Sequence, residues 1–218
     1  LVIAQFACNL GTQAPTAIPQ PPVNATSPTS AAPAFSGDPT TTVVQAIQIL
    51  PTSSYRKKEW FTSSQGNPPD INQAPDLVAE FTPLNNSHVT FRDVEYITVN
   101  GNFYTRSTGA DWQLSVPDAA PQDVAAKVAD MFTQALQNGG FVIEAAGSDS
   151  VNGAAAQAFS VNGQLDVSGT SFTVSGKVWI GSDGHLLKME LSDPSTQQVM
   201  DVSLYEYDSG ITITAPIP

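Results

Sequence analysis

The sequence predicts an α+β domain, mostly antiparallel sheet with two helices, preceded by a segment that does not fold on its own. Three observations predict it. Residues 9–37 are largely Pro, Ala, Thr, Ser and Gln, without periodicity and without a charge before Asp38. Two later stretches carry apolar residues at helical spacing. The rest is a series of short apolar and aromatic runs punctuated by Asn-Gly and Asp-Gly dipeptides, the mark of hairpins. Of the 218 residues, removing the unstructured start leaves one domain of roughly 180 residues, enough to bury a core.

Asp38-Pro39 is a helix start, an N-cap side chain followed by Pro at the first helical position. Val43, Val44, Ile47 and Leu50 follow at helical spacing, and Pro51 stops the run. Strand-like segments come next: "RKKEWFTSS", "DLVAEFTP", "HVTFRDVEYITV" and "NFYTRS", the last two joined at Asn100-Gly101. A second helix is expected over about 121–137, where Val124, Val128, Met131, Phe132, Ala135 and Leu136 form one stripe and Asn138-Gly139 ends it. Strands resume as "FVIEAA", "AAQAFSV", "SFTVSGKVWI", "HLLKMELS", "QVMDVSLYEY" and "ITITAP", with turn signals at Asn152-Gly153, Asn162-Gly163 and Asp183-Gly184.

The last strands predict their own register. With Asp183-Gly184 as a two-residue hairpin loop, Ser182 faces His185, Ile180 faces Leu187, Val178 faces Met189 and Gly176 faces Leu191. The other side then pairs Lys177 with Glu190 and sets Lys188 opposite Trp179, a salt pair and a cation–π contact. With Asp193-Pro194-Ser195-Thr196 as the next loop, Met200 faces Met189, Val202 faces Leu187 and Asp201 falls opposite Lys188.

Charged residues make up only 13% of the chain, about half the usual share. The net charge of -12 repels phosphate backbones and excludes nucleic acid as a natural partner. One cysteine allows no internal disulfide, and that cysteine with two histidines makes a poor zinc site. No G-x-S-x-G, H-E-x-x-H, G-x-G-x-x-G or P-loop occurs, so the expectation is a protein that is not an enzyme and uses no cofactor or metal. Asp149-Ser150-Val151-Asn152-Gly153 has a calcium-loop look, but Ser160 stands where the twelfth loop position needs an acid. His88, ahead of a strand, and His185, after a turn, read as solvated or hydrogen-bonded loop residues.

Residues 1–7 read as the tail of a secretory apolar region, and Ala7-Cys8 resembles the cleavage point of a bacterial lipoprotein signal. The expected organisation is a signal remnant at 1–7, a lipidated Cys8 with a tether over 8–37, and the folded domain at 38–218. Such a protein is extracytoplasmic and held on a bacterial membrane by its acyl chains.

"FTVSGKVWIGSDGHLLKMELSD", following "DSVNGAAAQAFSV", resembles the carboxy-terminal half of the LolA/LppX-like lipoprotein fold, and "VEYITVNGNFYTRSTGADWQLS" resembles its middle hairpin. The resemblance covers roughly residues 40–214. It implies a strongly curved antiparallel sheet, an unclosed half-barrel, with about two helices covering the concave face. It also implies a space between sheet and helices in which several members carry lipids or lipidated molecules. The family has no catalytic motif to transfer, and Gly181 stands where an Asp is common.

The expected function is therefore a membrane-anchored carrier of an apolar ligand, a lipid or lipidated molecule, acting as a monomer. The expected cavity is lined from the sheet by Phe172, Val174, Val178, Ile180, Leu187, Met189, Met200, Val202 and Leu204. The second helix contributes Val124, Val128, Met131 and Phe132 as a lid. The alternative is a tethered module without a cavity that binds or senses another envelope protein through a sheet edge or an exposed patch.

Overall fold

The computed structural model describes residues 37–63, 66–83, 86–115, 133–135, 140–167 and 170–217, with the backbone alone at 165–167 and 170–172. Asp38 caps α1 (Pro39–Ile49): its Oδ2 accepts from the Thr41 N–H at 2.8 Å and the Thr41 hydroxyl at 2.9 Å. Pro51 sits in a short 3-10 turn, Leu50–Thr52, that ends the helix. Val43, Ala46, Ile47 and Leu50 are buried, so the helix turns the expected stripe to the core.

Eleven strands follow: β1 (Tyr55–Phe61), β2 (Leu77–Thr82), β3 (Asn86–Phe91), β4 (Val94–Val99), β5 (Asn102–Ser107), β6 (Gln113–Ser115), β7 (Phe141–Val151), β8 (Ala154–Val167), β9 (Thr170–Gly181), β10 (Leu186–Ser192) and β11 (Val199–Tyr207). They form one antiparallel sheet in the order β6-β5-β4-β3-β2-β1-β11-β10-β9-β8-β7. Its ends, β6 and β7, do not pair with each other, so the sheet is open: an α+β fold with a curved, unclosed sheet. Two meanders therefore join at one seam, where β1 pairs with β11. Of the expected second helix, Thr133–Ala135 are helical, and Ala135 packs on the main core; Val124, Val128, Met131 and Phe132 lie outside the described residues.

Turn chemistry sets most of the hairpins. Asn100 and Gly101 both have positive φ, 52° and 77°, as do Asn152 and Gly153, 51° and 81°, which suits the twist of adjoining strands. "HVTFRDVEYITV" is not one strand but two: the chain reverses at Arg92, φ 53°, and Phe91 pairs with Val94. Asn162-Gly163 is not a turn. Both residues lie inside β8, where Gly163 pairs with Phe141, and a Cβ on Gly163 would collide with the Gly140 and Phe141 backbone. "ITITAP" is not a strand either. It is a tail that lays Ile213 and Ile217 against Ile97, Val99 and Tyr104.

Alternation along the strands gives the sheet an inner face, which carries α1, and an outer face. The inner core joins Val43 and Ile47 of α1 and Leu50 of the 3-10 turn to Phe141, Ile143, Phe159, Val161, Val178, Ile180, Leu186 and Tyr205. The outer face carries a smaller cluster, Val151, Ala156, Ala158 and Trp179 with Leu187 and Leu204. Between these patches run half-buried ion pairs, among them Arg56–Glu80 at 2.6 Å, Lys58–Glu206 at 2.7 Å and Arg106–Glu95 at 2.7 Å.

The β9–β10 hairpin departs from expectation at its tip. Gly181 and Gly184 close a reverse turn, the Gly181 N–H bonds the His185 carbonyl, and the loop is three residues, Ser182–Gly184, with Gly184 at φ 84°. Ile180 therefore faces Leu186, not Leu187. A bulge at Leu187 absorbs the offset and turns that side chain to the outer face; beyond it Trp179–Lys188, Val178–Met189, Lys177–Glu190 and Gly176–Leu191 pair as expected. Lys188 lies 4.4 Å from the Trp179 ring centre, the expected cation–π contact, but it is Lys188 that bonds Glu190, at 2.5 Å, rather than Lys177.

The next hairpin is shifted by three residues. Asp193 pairs with Gln198 around Pro194–Gln197, and a second bulge leaves Met200 unpaired. Met189 faces Ser203, Lys188 faces Leu204 and Leu191 faces Asp201, so none of the three expected β10–β11 pairs forms.

Two substitutions test this packing. Ile180, wholly shielded from solvent, should lose about 3 kcal/mol of unfolding free energy on Ile180→Ala. Leu114→Ala, at a site 62% exposed, should stay within about 0.5 kcal/mol of the parent in the same urea titration.

Candidate functional site

A strand that lies across a buried face should put apolar residues at every second position. β1 does not. Its inward positions read Tyr55, Lys57, Glu59 and Phe61, two charges between two aromatic rings. Its partner β11 repeats the exception with Asp201 and Ser203 ahead of Tyr205 and Tyr207. Register brings these side chains together, with Lys57 opposite Tyr205, Glu59 opposite Ser203 and Phe61 opposite Asp201. Lys57, Glu59 and Asp201 are the charged residues on the inner face of the described strands, and they form one island at the seam.

The island is tightly connected. Lys57 Nζ sits 2.8 Å from Glu59 Oε2, and the Ser203 hydroxyl donates to Glu59 Oε1 at 3.4 Å. The side chains of Lys57 and Glu59 are 20% and 10% exposed, and Ser203 is fully buried. Asp201 Oδ1 is shut off from water, and among the described residues no donor bonds it. A carboxylate there carries an unmet charge; a carboxylic acid instead donates to Glu59. Burial, then the negative charge of Glu59 and the hydrogen bond to it, push the Asp201 carboxyl up to about 8, against the smaller pull of Lys57 and Ser203. Burial opposes the Lys57 ammonium, but Tyr205, Glu59 and Asp201 outweigh it and raise its pKa. Burial also raises the Tyr205 phenol.

The residues expected to line a cavity fall into four groups. Val178 and Ile180 are buried in the solid core with α1, and Val174 and Met189 pack at its margin. Leu187 and Leu204 belong to the outer cluster, and Val202 is buried on that same face opposite Trp60. Met200 is 51% exposed on its bulge. Phe172, whose backbone alone is described, together with the four helix residues and Cys8, falls outside what the structure specifies. Over β1–β5 the inner face is mixed: Ala79 and Phe103 are buried, Leu77, Phe91, Val94 and Tyr96 are half-buried, and Phe61 meets Phe91 edge-on at 6.2 Å.

Both histidines are tied down. His88 lies within β3, not ahead of it, and its Nε2 is 3.2 Å from Glu95. His185 stacks on Tyr207 at 4.1 Å and reaches Asp183 at 2.8 Å. A groove of about 270 Å³ beside that turn, lined by Asn152, Asp183, His185, Leu187 and Glu206, is below the usual size of an organic-ligand site. Among the described residues no group of three or more His, Cys, Asp or Glu is placed to hold a metal ion.

Asp201 gives the fold a definite response to pH. Its carboxyl ionises near its ordinary value of 3.8 when unfolded and about 8 when folded, so between those values the folded state holds the extra proton. Stability is then fully present below about pH 4 and declines as pH rises toward 8. The melting temperature should fall from pH 5 to pH 8, and Asp201→Asn should flatten that slope and melt higher than the parent at pH 8. A parent with no decline over this range would show that the two carboxyls do not share a proton.

No family model matches the sequence, and no curated protein matches it. Solved structures do. Lipoprotein LppX of Mycobacterium tuberculosis aligns over 82% of this chain and 100% of its own, with 14% identity and a TM-score of 0.51. LprF from Mycobacterium bovis aligns over 84% of this chain and 100% of its own, with 15% identity and a TM-score of 0.54. With its open, curved antiparallel sheet and a helix on one face, the chain has the LolA/LppX-like lipoprotein fold.

Proposed function

We propose that this protein is a membrane-tethered envelope lipoprotein that carries an apolar ligand, a lipid or lipidated molecule, on the inner face of its sheet, and that it does so without catalysis. The likeness of fold to LppX and LprF, which spans the full length of both, is the observation that supports this most. The inner face supports it too. The end under α1 is filled, whereas Leu77, Phe91, Val94 and Tyr96 of β2–β4 are half-buried on the same side. Each methylene of a ligand laid there gains about 0.8 kcal/mol over water. The stripe Val124, Val128, Met131 and Phe132 is the lid in this reading, and it shifts to admit a chain. Among the described residues no helix is long and apolar enough to cross a membrane, and Cys8 is the proposed point of attachment through its acyl chains.

Gentle purification from cells should bring lipid with the protein, seen by mass spectrometry of an organic extract. Val128→Trp should reduce that lipid with little change in melting temperature. Recovery of an empty protein, together with a loss of about 1–3 kcal/mol in the Trp variant, points instead to a filled interior and overturns the carrier reading. In the native host, Cys8→Ser should move the protein from the membrane to the soluble envelope fraction; unchanged membrane association rules out the acyl tether.

A further inference from the structure

We infer that Lys57, Glu59, Asp201 and Ser203 form a subsite for an uncharged, hydroxyl-bearing head group on the ligand; this rests on the carrier reading above. The placement is the first argument. An inner face built only to fill a core has no use for charges, and the described strands gather their three inward charges in one spot, beside the half-buried apolar surface of β1–β5. Breaks in the binary pattern of this kind concentrate at functional sites. Lys57 and Glu59 keep 20% and 10% side-chain exposure, so they are the members a ligand reaches, with buried Ser203 and Asp201 Oδ1 behind them.

Charge balance selects the head group. Lys57 is held by Glu59 at 2.8 Å, with the Asp201 carboxyl beside them. A phosphate or fatty carboxylate would bring a third acidic group to a site whose one ammonium is already engaged. A cationic head would have to shed its water next to Lys57, and desolvation of a further charge is expensive. A hydroxyl avoids both costs. It donates to a carboxylate oxygen of Glu59 and accepts from the Lys57 ammonium, while Ser203 and Asp201 hold Glu59 from behind. Glycerol and sugar head groups share this chemistry.

The test uses the purified full chain and three lipids with the same acyl chains: 1,2-dioleoylglycerol, its 3-acetyl ester in which the hydroxyl is capped, and dioleoyl phosphatidic acid. Dioleoylglycerol should bind about tenfold tighter than either of the others, the scale of one hydrogen bond to a charged group. Lys57→Met and Asp201→Leu should remove most of that preference. Asp201→Asn, which keeps an acceptor in place, should retain it and guards against a leucine variant that fails to fold. Equal affinity for the alcohol and its ester, tighter binding of phosphatidic acid, or a preference unchanged in Lys57→Met overturns the head-group assignment and leaves the carrier reading standing. Binding of none of the three lipids overturns both. A dioleoylglycerol preference over a glycosylated diacylglycerol of the same chains identifies glycerol as the head group, and the reverse preference identifies a sugar.

Discussion

An antiparallel sheet of eleven strands has more inner surface than α1 can cover. At about 4.8 Å between strands the sheet is roughly 50 Å wide, while an 11-residue helix is about 16 Å long. The rest of the architecture follows from this mismatch. α1 is spent on the β7–β10 end, where it joins Ile180, Phe159 and Leu186 in a solid core. The outer face is protected piecemeal, by Trp179 and its neighbours at one end, by ion pairs in the middle and by Ile213 and Ile217 of the tail at the other. On the inner side of β2–β4, Leu77, Phe91, Val94 and Tyr96 are neither sealed in a core nor fully solvated, while Ala79 and Phe103 beside them are buried.

The charged island sits at the border between these two regimes, and its position has an electrostatic logic. Deep under α1 three ionisable groups would be prohibitively costly, and in open solvent their attraction would be screened. At the seam burial keeps the proton on one carboxyl, while Tyr205, Glu59 and Asp201 hold the Lys57 ammonium charged against that same burial. The island also fixes the strand pairing. A slip of one residue between β1 and β11 turns Lys57 and Glu59 outward and brings Arg56, Lys58 and the bulk of Trp60 in, which no partner on the inner face offsets.

The sequence made the general plan legible because that plan is written in local chemistry. Asp38-Pro39 marks the helix start, and Asn100-Gly101 and Asn152-Gly153 mark hairpins, because each of these residues acts on its immediate neighbours. Asn162-Gly163 misled for the opposite reason: its glycine answers to a backbone across the sheet, a close approach that no local pattern reveals. The β9–β10 register is legible except at the tip, where neither Ser182–His185 nor Ile180–Leu187 pairs, since a three-residue loop and a compensating bulge restore the same apolar alternation further along the strands. The β10–β11 register was not readable, because loop length there rests on a single Asp-Pro and no local residue pattern marks the bulge at Met200. The island was missed altogether. Its signal was present in "YRKKEWF", where a strand flanked by aromatic inward positions carries Lys and Glu between them, but it becomes a site only once β11 is known to lie alongside.

That pairing also governs when the domain can exist. Nearly every other strand contact joins neighbours in the chain, so each meander can form from local segments. The β1–β11 seam is different: Lys58 and Glu206, bonded across it, are 148 positions apart. Closing a loop of that length is entropically slow, and high contact order of this kind delays folding. Until β11 arrives, the amino-terminal meander presents β1 as a bare edge. The seam is therefore the contact that locks the two meanders into a single sheet.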